Sequence, residues 1–381
     1  MRRSLMIRAW VLPALLLAAS SFAADVPVPA PPQIGASSYQ LIDFSSGRIV
    51  AESNADERVE PASLTKLMTA YTVFHALRQG QITLQDEAHV SEKAWRTEGS
   101  RMFIEVDTRV SVEDLLRGMI IQSGNDASVA LAEHVGGSED AFLELMNQYA
   151  ALLGMTGSSF MNTTGLPAEG HFVTARDVAI LARAIISEFP EYYGWYSERE
   201  FTYNGIRQYN RNSLLWRDES VDGLKTGYTT AAGYCLVTSA ERSGMRLISV
   251  VTGMTGTEAR EDGSQALLNY GFRFYETHKL YSGGEEITTA RVWKGAPQEA
   301  SLGLSEDLYI TVPRGRYDAL EAKMDLSTEL MAPLSAGAEV GAVRISLDDE
   351  QISTMPLMAL HAVPEANVWT RIKDEVTLWL Q

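Results

Sequence analysis

The spacing of apolar and polar positions divides the chain into regions of different texture. Ser38-Tyr39-Gln40-Leu41-Ile42-Asp43 alternates as a half-buried strand does, Ser46-Gly47 supplies a turn, and Arg48–Ala51 returns as the hairpin partner. From Leu64 the period lengthens to that of a helix. Leu64–Leu77, Val112–Gln122, Ala127–Val135, Glu139–Leu153 and Ala175–Ile186 carry apolar residues three and four apart. Thr174 stands where the last of these needs an N-cap, with Asp177 at the third helical position in a capping-box-like arrangement. Strand character comes back at Tyr234–Ser239 and Met245–Thr252, and Ser264–Tyr275 reads as a closing helix. Strands at both ends with helices between them predict one mixed α+β domain over residues 35–282.

After Ser282-Gly283-Gly284, short alternating segments (Thr288–Trp293, Leu308–Val312, Ala338–Ile345, Gln351–Leu357) recur between Gly, Pro and Asp turns. They predict a small all-β domain over 283–364, and it carries no cluster of polar residues that suggests chemistry. An amphipathic helix follows over 365–381, with Val368, Ile372, Val376 and Trp379 on one face and Trp369 and Leu380 beside them. About sixteen residues span roughly 24 Å, too short to cross a bilayer. Such a helix either docks on protein or lies in a membrane interface as a peripheral contact. Arg371 and Lys373 are offset by Asp374 and Glu375, which leaves little attraction to anionic lipid.

The N-terminus has a third character. Met1-Arg2-Arg3 and Arg8 form a positive segment, Val11–Ala19 an apolar one, and Ser21-Phe22-Ala23 a small-x-small site. Residues 1–23 therefore read as a signal peptide, and 24–34, rich in Pro, as a flexible lead-in to an exported chain. Loss of the three leader arginines moves the net charge from −17 to about −20, which argues against nucleic-acid binding. Cys235 is the only cysteine, so no intrachain disulfide forms, and its strand-like setting reads as a buried structural thiol. The six histidines (75, 89, 134, 171, 278 and 361) have no zinc-ligand spacing, and no phosphate-binding loop is present. No metal or cofactor is implied.

Three short motifs carry chemistry. Ser63-Leu64-Thr65-Lys66 opens the first helix, where residues three apart share a face, so an amine lies one turn from a hydroxyl. A serine needs an adjacent base, and a lysine serves if burial or a second cation leaves part of it neutral. This is the only Ser-x-x-Lys in the chain. Ser123-Gly124-Asn125 joins two helices. Its hydroxyl is suited to relaying a proton and its amide to holding a substrate carbonyl, although the same residues also serve as plain interhelical punctuation. Lys225-Thr226-Gly227 begins a strand and offers a cation, a hydroxyl and a backbone edge, with Gly227 leaving room for a substrate to lie alongside. Lys225 is placed here as the second cation acting on Lys66. Two of only seven lysines fall in these motifs, against twenty-five arginines.

Together the motifs resemble the low-molecular-mass penicillin-binding proteins that act as serine D-alanyl-D-alanine carboxypeptidases. The likeness extends through Glu60–Thr69, Ile120–Ala127, Asn210-Arg211-Asn212 and Val221–Gly227, and through the order of leader, catalytic domain, β domain and terminal helix. It implies a β-lactamase/DD-peptidase-like fold, an antiparallel sheet flanked by helices, followed by a β-sandwich-like domain. It also implies removal of the terminal D-alanine from peptidoglycan stem peptides in the periplasm, with β-lactams as covalent inhibitors. Ser63 would be the nucleophile, Lys66 its base, and Ser123 and Lys225 the proton path to the leaving group. The backbone N–H groups of Ser63 and Tyr228 would form the oxyanion hole. Asn125, Thr226, Gly227, Tyr228, Arg211 and Arg260 would bind substrate, the arginines near its carboxylate. Tyr228 departs from the histidine or threonine common after the third motif. A DD-endopeptidase or a weak β-lactamase of the same fold is the alternative; Glu169 and Glu188 lack the Glu-x-x-x-Asn context of the commonest β-lactamases.

Overall fold

The computed structural model describes residues 27–326 and 329–380, so the expected leader at 1–23 lies outside the described residues. The chain opens with the hairpin β1 (Ser38–Asp43) and β2 (Ile49–Ser53). A largely helical stretch follows: α1 (Thr65–Arg78), β3 (Glu87–His89), α2 (Glu92–Arg96), β4 (Arg109–Ser111), α3 (Val112–Ile121), α4 (Asn125–Gly136) and α5 (Glu139–Leu152). Next come α6 (Ala175–Glu188), α7 (Pro190–Tyr193), the hairpin β5 (Glu200–Tyr203) and β6 (Ile206–Tyr209), and α8 (Leu214–Arg217). Then β7 (Val221–Thr229), β8 (Gly233–Arg242) and β9 (Met245–Met254) return the chain to the sheet before α9 (Thr257–Phe274).

The sheet runs β2-β1-β9-β8-β7 and every pairing is antiparallel. Its apolar residues divide between two faces. Ile42, Leu224, Cys235, Val237, Ile248 and Val250 join the large core built with α1 and α3–α6. On the other face Leu41 and Leu247 press against α9 at Gly271. Burying a large side chain such as Phe74, Phe142 or Phe189 in that core contributes about 1.5–3 kcal/mol each. The helices start where local chemistry directs. Ser91, Ser111, Ser138 and Thr174 each accept the N–H three residues on, worth about 1 kcal/mol apiece. Thr174 makes that cap, but the Asp177 carboxylate turns to Gly157 N and Ser158 Oγ instead of closing the box.

The closing helix begins at Thr257, seven residues before the expected Ser264, so Arg260 lies in its first turns. The run Glu258-Ala259-Arg260-Glu261-Asp262-Gly263 is too polar to show a helical period. The first helix differs too: Ala62–Leu64 form a 3-10 turn, and α1 starts at Thr65.

The remaining strands are β10 (Tyr275–Tyr281), β11 (Thr288–Trp293), β12 (Glu299–Gly303), β13 (Leu308–Pro313), β14 (Leu320–Leu326), β15 (Leu330–Met331), β16 (Glu339–Leu347) and β17 (Glu350–Ala359), ahead of α10 (Val368–Trp379). They form a six-stranded sheet, β14-β16-β17-β12-β11-β15, and a β10–β13 ribbon over a core that includes Val292, Leu302, Ile310, Val343 and Leu357. The buried Asp43 at the end of β1 ties this ribbon to the first sheet. It accepts from Ser46 Oγ at 2.8 Å and from Thr277 Oγ1 at 2.7 Å, and both hydroxyls also bond Thr311 Oγ1.

α10 docks by its polar face. Asp374 is buried and accepts from the Lys294 backbone N–H at 2.7 Å, with Gln298 Nε2 at 3.3 Å. The aspartate expected to offset Arg371 and Lys373 therefore faces protein. Val368, Ile372, Val376 and Trp379, with Trp369 and Leu380, all remain exposed. Among the described residues no helix is long and apolar enough to cross a membrane.

Candidate active site

Ser63 sits in the 3-10 turn ahead of α1, after Ala62, whose φ of 47° is left-handed. One turn on, the buried Lys66 places Nζ 3.0 Å from Ser63 Oγ and donates to the Thr164 carbonyl at 2.5 Å. That carbonyl is held by Asn162, whose Oδ1 accepts from Thr164 N, Thr164 Oγ1 and Gly165 N. Gly165 must be glycine. Its φ is 89°, and a Cβ there would stand 1.7 Å from the Ala62 carbonyl oxygen. Burial pushes the Lys66 ammonium down to about 7; the Arg211 guanidinium adds to this and Asp126 partly opposes it. Arg211 is thus a cation acting on Lys66 beside Lys225, which repels Lys66 in turn. A contact motif between lysines cannot reveal it, because Arg211 arrives from the turn between β6 and α8.

Lys225 projects from β7, buried, and donates to the Thr226 carbonyl at 3.2 Å. Burial holds its ammonium well below the usual lysine range, and Lys66, Arg211 and Arg260 lower it further. β7 is the edge strand of its sheet and runs directly past the turn that carries Ser63. A Cβ built on Gly227 would lie 3.3 Å from Ser63 N, and Thr229 Oγ1 bonds Glu60 at 2.9 Å. Two buried asparagines brace this edge. Asn212 donates to the Gly223 carbonyl at 3.1 Å, and Asn210 to the Tyr196 and Glu198 carbonyls. Arg211, between them, reaches across to the Gln122 carbonyl at 3.0 Å, beside Ser123.

Ser123 closes the third side. Its φ is 67°, and its buried hydroxyl has no hydrogen-bond partner. Left-handed backbone in a serine costs on the order of 1 kcal/mol and an unsatisfied buried hydroxyl about 1–3 kcal/mol. Asn125 commits one amide hydrogen to the Glu98 carbonyl at 2.5 Å, leaving its second N–H and its carbonyl oxygen. Asp126 accepts from the N–H groups of Met102, Phe103 and Ile104, and this clamp holds Phe103 at a φ of 69°. Thr226 is buried on β7. Tyr228 is 54% exposed and packs at a tilt against Tyr234, with ring centroids 4.4 Å apart. Arg260 donates to the Gly227 carbonyl at 3.4 Å, lies over the Tyr234 ring, and keeps a buried Nε without a partner.

A family model described as D-alanyl-D-alanine carboxypeptidase matches residues 25–256, and one for the penicillin-binding protein 5 C-terminal domain matches 275–365. The chain belongs to the D-alanyl-D-alanine carboxypeptidase family. It is 45% identical over 359 residues to D-alanyl-D-alanine carboxypeptidase DacA of Escherichia coli K12, covering 92% of this chain and 89% of that one. A crystal structure of penicillin binding protein 5 from Haemophilus influenzae superposes with a TM-score of 0.85 at 44% identity, covering 88% of this chain and all of that one. The ampicillin-bound form of penicillin-binding protein D2 from Listeria monocytogenes matches 64% of this chain and all of its own, with 31% identity and a TM-score of 0.59. The α+β architecture with a C-terminal β domain is that of this family of carboxypeptidases.

Several residues of this carboxypeptidase-family chain that shape the site escape motif reading. Asp126, Asn162, Thr164 and Gly165 act through backbone contacts that only the fold creates. His171 is another. Its Nδ1 accepts from Met161 N–H at 2.8 Å, so the ring carries its proton on Nε2 and donates it to Thr65 Oγ1 at 2.8 Å. Burial pushes this imidazole down to about 4, and it buttresses the residue between Leu64 and Lys66. Glu188 is engaged by Tyr71 and Arg78 near the far end of α1, and Glu169 is exposed on the loop after Gly165. Cys235 is buried with its thiol raised to about 11, as a structural thiol should be.

Proposed function

We propose that this protein is a serine-type DD-carboxypeptidase that removes the terminal D-alanine from peptidoglycan pentapeptide stems, with Ser63 as nucleophile and Lys66 as base. The observation that carries the reading is the 3.0 Å contact between Ser63 Oγ and a buried lysine whose pKa is lowered to about 7. At neutral pH a large fraction of Lys66 is uncharged and able to take the serine proton as Oγ attacks the penultimate D-alanine carbonyl. The backbone N–H groups of Ser63 and Tyr228 receive the oxyanion. Ser123 and Lys225 pass a proton to the departing amine, and water then hydrolyses the acyl-enzyme. Arg260 and Arg211 read the substrate's terminal carboxylate with Thr226; Asn125 and Gly227 align the peptide along β7. β-Lactams acylate Ser63 by the same path.

In the same reading the leader sends the chain to the periplasm, residues 35–282 form the catalytic unit and 283–364 the β domain. The outward apolar face of α10 rests on the outer surface of the inner membrane. Its exposed Arg371 and Lys373 face acidic residues only in part, because Asp374 is turned inward. The test is release of D-alanine from a soluble peptide ending in D-Ala-D-Ala, with Ser63→Ala alongside. Release by the parent and none by the variant supports the reading. A folded parent that releases none overturns it.

A further inference from the structure

Two successive carbonyls of one loop face the same helix. Thr163 O accepts from Thr69 Oγ1 at 2.8 Å, and Thr164 O accepts from Lys66 Nζ, three residues back on the same face of α1. A regular extended chain alternates its groups from side to side, so this placement needs a bend that is held in shape. Asn162 holds it from within, through Thr164 N and Gly165 N. Glu139, the first residue of α5, holds it from outside. Its Oε1 accepts from Thr163 Oγ1 at 2.8 Å and from Thr163 N–H at 3.2 Å, while Oε2 meets the exposed Lys93 ammonium at 2.7 Å. Thr163 is fully buried, and the Glu139 side chain is only 11% exposed. Burial works to raise this carboxyl, but hydrogen bonds from Lys93 and Thr163 outweigh it and hold the group below its ordinary value, ionised at neutral pH. The carboxylate is not needed to start its own helix. Ser138 caps α5 by accepting from Ala141 N–H, and Asp140 also stands in the first turn.

We propose that Glu139 is a positioning residue for acylation: through Thr163 it aims the Thr164 carbonyl at Lys66 and so sets the amine beside Ser63. The inference rests on Lys66 being the base of the proposed reaction. The line of contacts is short. Glu139 fixes Thr163, the adjoining peptide carries Thr164 O to Lys66 Nζ, and Lys66 Nζ lies 3.0 Å from Ser63 Oγ. Thr163 has its N–H and hydroxyl on Glu139 and its carbonyl on Thr69, so the bend cannot rotate while both hold. Glu139 supplies reach and not charge. Asp126 is the carboxylate whose charge acts on Lys66. Both bonds to Thr163 need one oxygen at the end of a two-methylene arm, and an amide oxygen at the same place serves equally well. The Lys93 pair involves an exposed lysine, and such pairs contribute little. Side-chain length at position 139 therefore matters more than ionisation. An acid placed only to favour a helix N-terminus would show the opposite order.

The test is stopped-flow acylation of the full protein by a fluorescent penicillin over a concentration series, which separates non-covalent binding from the acylation rate constant. Melting temperature serves as the fold control. Glu139→Gln keeps the oxygen in place and should acylate within about threefold of the parent. Glu139→Asp keeps the charge but withdraws the oxygen by about 1.5 Å, one carbon–carbon bond. It should lose about tenfold or more in the rate constant, toward the roughly 10²-fold that a misplacement of about 1 Å costs, with binding unchanged. Ser138→Ala uncaps the same helix without touching Thr163; it should melt lower and acylate like the parent. Lys66→Ala runs alongside. If Lys66→Ala acylates like the parent, the base assignment itself falls, and the role of Glu139 with it. With Lys66→Ala inactive, three results overturn the role of Glu139 alone: Glu139→Asp faster than Glu139→Gln, Glu139→Asp within about threefold of Ser138→Ala, or a loss that lies in binding and not in the rate constant.

Discussion

Gly165→Ala isolates the contact between the nucleophile's turn and the loop that holds Lys66. Two costs arise. At a φ of 89° any L-residue is strained, by about 1–2 kcal/mol. The new Cβ would also stand 1.7 Å from Ala62 O and 2.3 Å from Ala62 C, where real contacts stop at 3.0 Å. The two backbones must therefore part by about 1.3 Å, the difference between those values. That movement displaces Thr164 O from Lys66 Nζ, or Ser63 from its place beside Gly227, or both. A misplacement of about 1 Å in a reacting constellation costs on the order of 10²-fold. Gly170→Ala, in the same loop, is the matched control. Its φ of 79° carries the same strain, but the nearest atom to its Cβ is Met161 Sδ at 3.8 Å. Both variants should lose a few degrees of melting temperature. Only Gly165→Ala should lose about 10²-fold in the stopped-flow rate of acylation by a fluorescent penicillin. If it acylates within threefold of Gly170→Ala, the rigid apposition of Ala62 and Gly165 is not what sets the site.

Four further outcomes are expected. Because Lys66 must be neutral to accept the serine proton, acylation should rise with pH through about 7 and level off above it. Arg211→Gln removes a cation that lowers this pKa, so the rising limb should move to higher pH. His171 is held neutral, down to about 4 from an unfolded value of 6.5, so the unfolded chain binds the extra proton between those values. Stability should therefore fall by up to about 3 kcal/mol as pH drops from 6.5 to 4, and denaturant titrations of His171→Gln should show a flatter dependence. Asp374→Ala strips the Lys294 N–H of its acceptor; hydrogen exchange in residues 368–379 should then speed up while α1 and β7 keep their protection.

The sequence made the candidate site residues legible because the three motifs are local. Ser63 and Lys66 share a helix turn, and Lys225 to Gly227 lie along one strand, so spacing alone places their side chains. Periodicity located α3, α5 and α6 well because each buries one apolar stripe. It failed on α9, whose first two turns are charged and whose Arg260 and Glu261 are nevertheless buried. The part that Arg211 plays in lowering the lysine's pKa, beside the larger effect of burial, was not legible either. Arg211 acts on Lys66 from 145 positions further along the chain, through a turn shaped by Asn210 and Asn212. The amphipathic pattern of α10 was plain, but which face would dock depended on the buried acceptor Asp374. An apolar stripe alone would have suggested the reverse.

The pairing of β1 with β9 constrains how the molecule can come into being. Ser38 sits opposite Thr252, and their hydroxyls meet at 2.7 Å although 214 positions separate them. A chain threaded from its N-terminus presents Ser63 early, yet the strand that bears Lys225 and the one that seals β1 arrive much later. Closing so long a loop is slow compared with forming local helices. Until β1 finds β9, therefore, the turn that carries Ser63 stands without the strand edge that later runs past it, and the site assembles only once the sheet has closed.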